Sequence, residues 1–89
     1  MRVELTRRAE RDLRAIALPA RRRLLREIGA VLSERPLPAK ADDRPLRGSA
    51  PWRRLRVGEW RVIWREENDV RYVARIVNRR DLERAVRRL

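Results

Sequence analysis

The stretch from Arg53 to Glu66 leaves this chain few options. Leu55 and Val57 alternate with Arg54 and Arg56, and Trp60, Val62 and Trp64 alternate with Arg61, Ile63 and Arg65. A period of two is the signature of a half-buried strand. Between the runs sits Gly58-Glu59, and a Gly-X pair there predicts a two-residue hairpin turn, because glycine accepts the positive φ such a turn needs. The stretch therefore predicts a β-hairpin with one apolar face and one face crowded with guanidinium groups. Guanidinium groups held in a row are a surface for phosphate.

The rest of the chain supplies what that hairpin needs. Val3 and Leu5 alternate with Arg2 and Glu4, which predicts a short first strand. Thr6 is a suitable N-cap with Glu10 close behind it, and Ala9, Leu13, Ile16 and Ala17 follow at helical spacing; a helix is expected from about Arg7 to Leu18. Pro19 suits the start of a new helix. Leu24, Leu25, Ile28, Val31 and Leu32 predict that helix from about Ala20 to Glu34, so the two form an αα-hairpin joined at Leu18-Pro19. Pro36 to Pro51 reads as a loop anchored to the core by Leu46. Strands follow at Trp52–Val57, Trp60–Glu66 and Val70–Val77, the last two joined by a turn at Glu67-Asn68-Asp69. On the last strand Val70, Tyr72, Ala74 and Ile76 are expected on one side, with Arg71, Val73, Arg75 and Val77 on the other. Asp81 opens a short final helix carrying Leu82, Ala85, Val86 and Leu89. The expected fold is a single α+β domain over residues 1–89, in the order β-α-α-β-β-β-α. A small antiparallel twisted sheet of about four strands carries the αα-hairpin on one face and leaves its arginine face free.

Composition narrows the chemistry. The 89 residues contain no cysteine and no histidine. That removes the thiol nucleophile, the thiolate metal site and the usual base near neutral pH, so neither a metal nor a cofactor is implied. No apolar run approaches the ~20 residues of a membrane span, and Met1 to Thr6 lacks the apolar core of a signal peptide. A soluble cytoplasmic protein with no membrane partner is expected. The net charge is +12, and Lys40 is the only lysine. A GC-rich genome accounts for part of the choice of arginine over lysine but not for the net excess. A small domain this cationic expects a polyanion, either nucleic acid or an acidic protein.

Taken in series, three motifs resemble the RelE/ParE superfamily of bacterial toxins. They are Leu46-Arg47-Gly48, the hairpin from Trp52 to Trp64, and the tail Ile76-Val77-Asn78-Arg79-Arg80-Asp81-Leu82. Val3, Leu5, Thr6, Ala9, Asp12 and Leu13 match the superfamily's opening pattern. The resemblance implies a toxin of a type II toxin–antitoxin pair, neutralised by a cognate antitoxin protein that is acidic or partly disordered. RelE-like members cut mRNA in the ribosomal A site, and ParE-like members poison DNA gyrase. The hairpin favours the RelE-like, ribosome-dependent mRNA endoribonuclease; the alternatives are a gyrase poison with no nuclease activity and a catalytically silent RNA-binding relative.

The resemblance also assigns roles. Arg61 and Arg79 match the arginines that contact the scissile phosphate, and Arg54 and Arg56 match basic residues of the preceding strand. Arg53, Arg47 and Arg80 extend the set of phosphate-binding candidates, and Trp52 is the candidate for stacking on a base. Two positions depart from the superfamily: its tail histidine is Asn78 here, and its tail tyrosine is Glu83. Glu83, Asp81 and Glu59 could serve as bases if they lie near the cluster, although arginines beside a carboxylate lower its pKa and make it a poor base. Glu83 is the catalytic candidate, against the plainer reading of a helix-surface residue paired with an arginine.

Overall fold

The computed structural model describes residues 1–89. The hairpin forms as its alternation demands. β3 (Arg53–Val57) pairs antiparallel with β4 (Trp60–Glu67), with Leu55 opposite Val62 and Arg56 opposite Arg61. Gly58 takes φ +58° in the turn. The positive φ is what calls for glycine; a Cβ there would stand 2.8 Å from Nη1 of Arg23, which is the mobile end of an exposed side chain and can move aside. The turn from β4 to β5 (Val70–Asn78) uses positive φ at both Asn68 and Asp69, the arrangement of a type I′ hairpin.

The sheet has five strands in the order β1-β5-β4-β3-β2, one more than the sequence predicts. β1 (Arg2–Leu5) runs parallel to β5, which makes the sheet mixed. The added strand is β2 (Asp43–Pro45), inside the stretch expected to be loop. Asp, Arg and Pro carry no strand signal; these residues are extended because they pair with the edge of β3. A bulge on β5 corrects the expected parity. Trp64 faces Val73 while Ile63 faces Arg75, which leaves Ala74 as the extra residue. Val73 and Ile76 consequently share one face, and Val77 lies on the other.

α1 (Arg7–Arg14) and α2 (Leu18–Leu32) cover the first face. Thr6 caps α1, its hydroxyl accepting the Ala9 N–H at 3.2 Å. α1 ends earlier than expected, and Arg21 satisfies carbonyls freed there by donating to those of Arg14 and Ile16. The link is therefore Ala15 to Ala17, and Pro19 falls in the first turn of α2. Leu24, Leu32, Leu55, Val62 and Val73 lie at the centre of a core of 13 buried residues between helices and sheet. Truncating one of these large aliphatics to alanine costs about 2–5 kcal/mol.

The second face is not free. Asn78 rather than Asp81 provides the cap after β5, its Oδ1 accepting the Arg80 N–H at 3.2 Å. A 3₁₀ turn, Arg79–Asp81, leads into α3 (Leu82–Arg87). α3 lays Ala85, Leu82 and Val86 on Ile63 and Val77, with Leu46 and Trp52 completing a small second core. No helix is long and apolar enough to cross a membrane.

Candidate functional site

Strand alternation sends Arg54 and Arg56 of β3, and Arg61 of β4, to the face that carries α3. Arg79, just past β5, joins them because its N–H donates to the Glu59 carbonyl at 2.8 Å, pinning the end of β5 to the hairpin turn. Arg61 is the centre of the group. Its Nη1 donates to the carbonyls of Gly58 and Trp60, both at 3.0 Å, so the guanidinium is held by backbone and has no carboxylate in ion-pair contact. Partial burial and then the like charges of Arg56 and Arg54 hold its pKa below the ordinary arginine value; Arg79 acts in the same direction and Asp42 opposes it. Arginine stays protonated in proteins, so this is a cation stored among cations.

The main counter-charge comes from a residue the sequence reading passed over. Asp42 Oδ1 accepts from Arg54 Nη1 at 3.0 Å and lies 4.0 Å from Arg44, while Oδ2 lies 3.8 Å from Arg56. The hydrogen bond from Arg54 holds the Asp42 carboxyl below the usual carboxylate range; desolvation opposes it, and the charges of Arg54, Arg44 and Arg56 add to the lowering. The Asp42 carbonyl also accepts the Arg56 N–H at 2.9 Å, which fixes the segment beside β3. Glu59 pairs with Arg79 at 2.9 Å, with both side chains about two-thirds exposed. Such a surface pair contributes about 0–1 kcal/mol and yields to a stronger anion.

The other candidates separate from this group. Arg53 shares the parity of Leu55, so it lies on the helix-covered face, where it donates to Asp43 at 2.7 Å and sits 5.8 Å from the Trp64 ring. Arg47 is exposed and follows β2, at the end of the sheet away from the Gly58 turn. Trp52 is half-buried in the small second core, and Arg65 lies over its ring at 5.4 Å. Arg80 is exposed and faces a groove on the far side of the 3₁₀ turn from Arg79. Glu83 is exposed in the first turn of α3 and forms no ion pair. Arg23 and Arg44, unremarked in the sequence, add positive charge beside the turn and beside Asp42.

Known proteins share this fold. The RelB–RelE antitoxin–toxin complex from Methanococcus jannaschii superposes with a TM-score of 0.75 at 20% identity, over 91% of this chain and 95% of that one. The RelE–RelB complex from Pyrococcus horikoshii OT3 gives 0.65 at 27% identity, over 88% and 93%. YafQ from Escherichia coli BL21(DE3) gives 0.66 at 22% identity, over 92% and 98%. No curated protein matches the sequence significantly. Residues 3–83 match the family described as the ParE toxin of the type II toxin–antitoxin system parDE. With nearly the whole sequence covered and the fold in agreement, the chain belongs to the ParE toxin family, within the RelE/ParE superfamily.

Proposed function

We propose that this toxin is a ribosome-dependent mRNA endoribonuclease, neutralised by an acidic cognate antitoxin. The observation that carries the reading is the corner where Arg54, Arg56, Arg61 and Arg79 meet with Asp42 as the carboxylate between the strands. Cleavage through the ribose needs the 2′-oxygen to attack the adjacent phosphorus while the bond to the 5′-oxygen breaks. The products are a 2′,3′-cyclic phosphate and a 5′-hydroxyl. Planar guanidinium forks hold the non-bridging oxygens and meet the charge that develops on them. Arg61 and Arg79 take the scissile phosphate, and Arg54 and Arg56 take its neighbour. Glu83 stands on α3 apart from the corner and has no ion pair; in this reading it accepts the 2′-proton through a bridging water, and a second water protonates the departing 5′-oxygen. Holding the mRNA in line is left to the ribosomal A site.

The test is a transcriptome-wide map of 5′-hydroxyl ends after brief induction of the chain without antitoxin. New ends in translated frames, in phase with codons, are expected. Growth arrest without new ends would move the reading to DNA gyrase. That second reading has its own support in the matched family and in Asn78 and Glu83, which stand where RelE-like members carry histidine and tyrosine.

A further inference from the structure

Beyond the end of β1, the outer edge of β5 is uncovered by any strand. Asp12 of α1 seals part of it, its Oδ2 accepting the Ile76 N–H and Arg75 Nε, each at 2.9 Å. Past that seal, a groove of about 650 Å³ opens between α1 and α3. Its apolar floor includes Ile16, Trp60 and Ile76, and arginines from α1, β5, the 3₁₀ turn and α3 line it. Its two carboxylates are already engaged, Asp12 with Arg75 and Asp81 with Arg84. Arg11, Arg80 and Arg88 have no ion-pair partner.

We infer that this groove binds the nucleotide flanking the scissile one, with its base on Trp60 and its phosphate on Arg80. The inference rests on the RNA-cleaving reading and adds a subsite to it. Three observations favour RNA over an acidic peptide. The groove combines an aromatic floor with free guanidinium groups, the pairing that takes single-stranded nucleic acid. Asn78 on its wall spends Oδ1 on the Arg80 N–H, which leaves its amide donors for a base edge. The groove and the arginine corner meet round the end of the sheet: Trp60 and Arg61 point to opposite faces of β4, Arg79 and Arg80 to opposite sides of the 3₁₀ turn, and the Arg79–Glu59 backbone bond holds that end together. A strand bound at the corner reaches the groove by turning round that end of the sheet. Trp52, under Arg65, is not the stacking platform.

The test is NMR titration of the free chain with an uncleavable 2′-O-methyl tetranucleotide, reading the three indole N–H signals. Trp64 serves as an internal control, because its Nε1 donates to Asp43 at 2.6 Å in a buried setting. The Trp60 signal is expected to move while that of Trp64 stays still. Trp60→Leu should weaken binding about 5- to 100-fold, with Trp60→Phe recovering most of the loss. Arg80→Ser alters only an exposed side chain and should weaken binding about 2- to 5-fold, so the proposal does not depend on the tryptophan variants folding. A Trp60 signal that stays fixed while the Arg56 and Arg61 signals move would overturn the subsite and leave the nuclease reading standing. No binding at either place would overturn the subsite, and the nuclease reading would then stand or fall on the 5′-hydroxyl end map alone. A poly-glutamate peptide that moves Trp60 where the oligonucleotide does not would reassign the groove to an acidic protein.

Discussion

Arg71 and Arg61 project from neighbouring strands of one sheet, yet their surroundings oppose each other. Arg71 is 5% exposed. Its Nη1 donates to the carbonyls of Leu32 and Glu34 at 2.9 and 2.6 Å, its Nε donates to Glu66 at 3.1 Å, and its guanidinium lies 5.4 Å from the Trp64 ring. Every partner is an anion, an acceptor or a π face, and together they tie the end of α2 to β5. Arg61 has two backbone carbonyls and, beyond them, mostly other arginines. In a chain with a net charge of +12, the number of arginines says little about which of them act. What distinguishes them is whether the fold supplies the counter-charge or leaves it to a ligand.

The comparison breaks most visibly at Arg61. Arg61→Ala should lower cleavage about 10²- to 10³-fold, the loss that follows removal of one charge-stabilising donor, while the melting temperature stays near that of the parent. A variant that still arrests growth and still yields 5′-hydroxyl ends would remove Arg61 from the chemistry. Arg71→Ala should do the reverse. It strands two carbonyls and leaves Glu66 with Arg35 as its one remaining cation, and it should cost about 2–3 kcal/mol in urea unfolding. Once the fraction folded is corrected for, its cleavage rate should match the parent's. If Arg71→Ala instead unfolds at the parent's urea midpoint, the contrast between the two arginines fails.

That contrast was only half legible in the sequence. Alternation around Gly58 put Arg54, Arg56 and Arg61 on one face, and the structure agrees because strand parity is set locally. The same parity assigns Arg53 to the face of Leu55, so its inclusion among the phosphate-binding candidates ran against a signal already present. In the sequence Arg71 is one of several strand arginines, because its burial depends on where α2 ends, and no local pattern reports that. The two apolar residues on the arginine side, Ile63 and Val77, were the available clue that α3 would cover part of it. β2, the parallel pairing of β1 with β5 and the bulge at Ala74 come from contacts between distant residues, which periodicity does not carry. Asp42 was invisible for the same reason. It acts on β3 from a stretch with no regular pattern of its own.

Asp42 gives the smallest effect and the sharpest form of the comparison, since it is the partial counter-charge that places Arg54 and Arg56 between the two extremes. An anionic ligand entering the corner must compete with it. Asp42→Asn keeps the backbone contacts to Arg56 and should tighten binding of the 2′-O-methyl tetranucleotide about 2- to 5-fold at low salt, with the difference shrinking as salt rises. Binding that is unchanged or weaker would make Asp42 an orienting partner of Arg54 rather than a competitor. The pH dependence follows from the direction of its shift. A carboxyl held below its unfolded pKa of about 3.9 adds stability at every pH above that value, and the contribution is lost as pH falls through the folded pKa. The parent should therefore lose stability below about pH 4 more steeply than Asp42→Asn, and the two acid-unfolding curves should converge at the lowest pH. Parallel curves would show that the arginines leave the Asp42 pKa where it stands in the unfolded chain, and the carboxylate, still ionised at neutral pH, would then be only a weakly held competitor for an entering RNA.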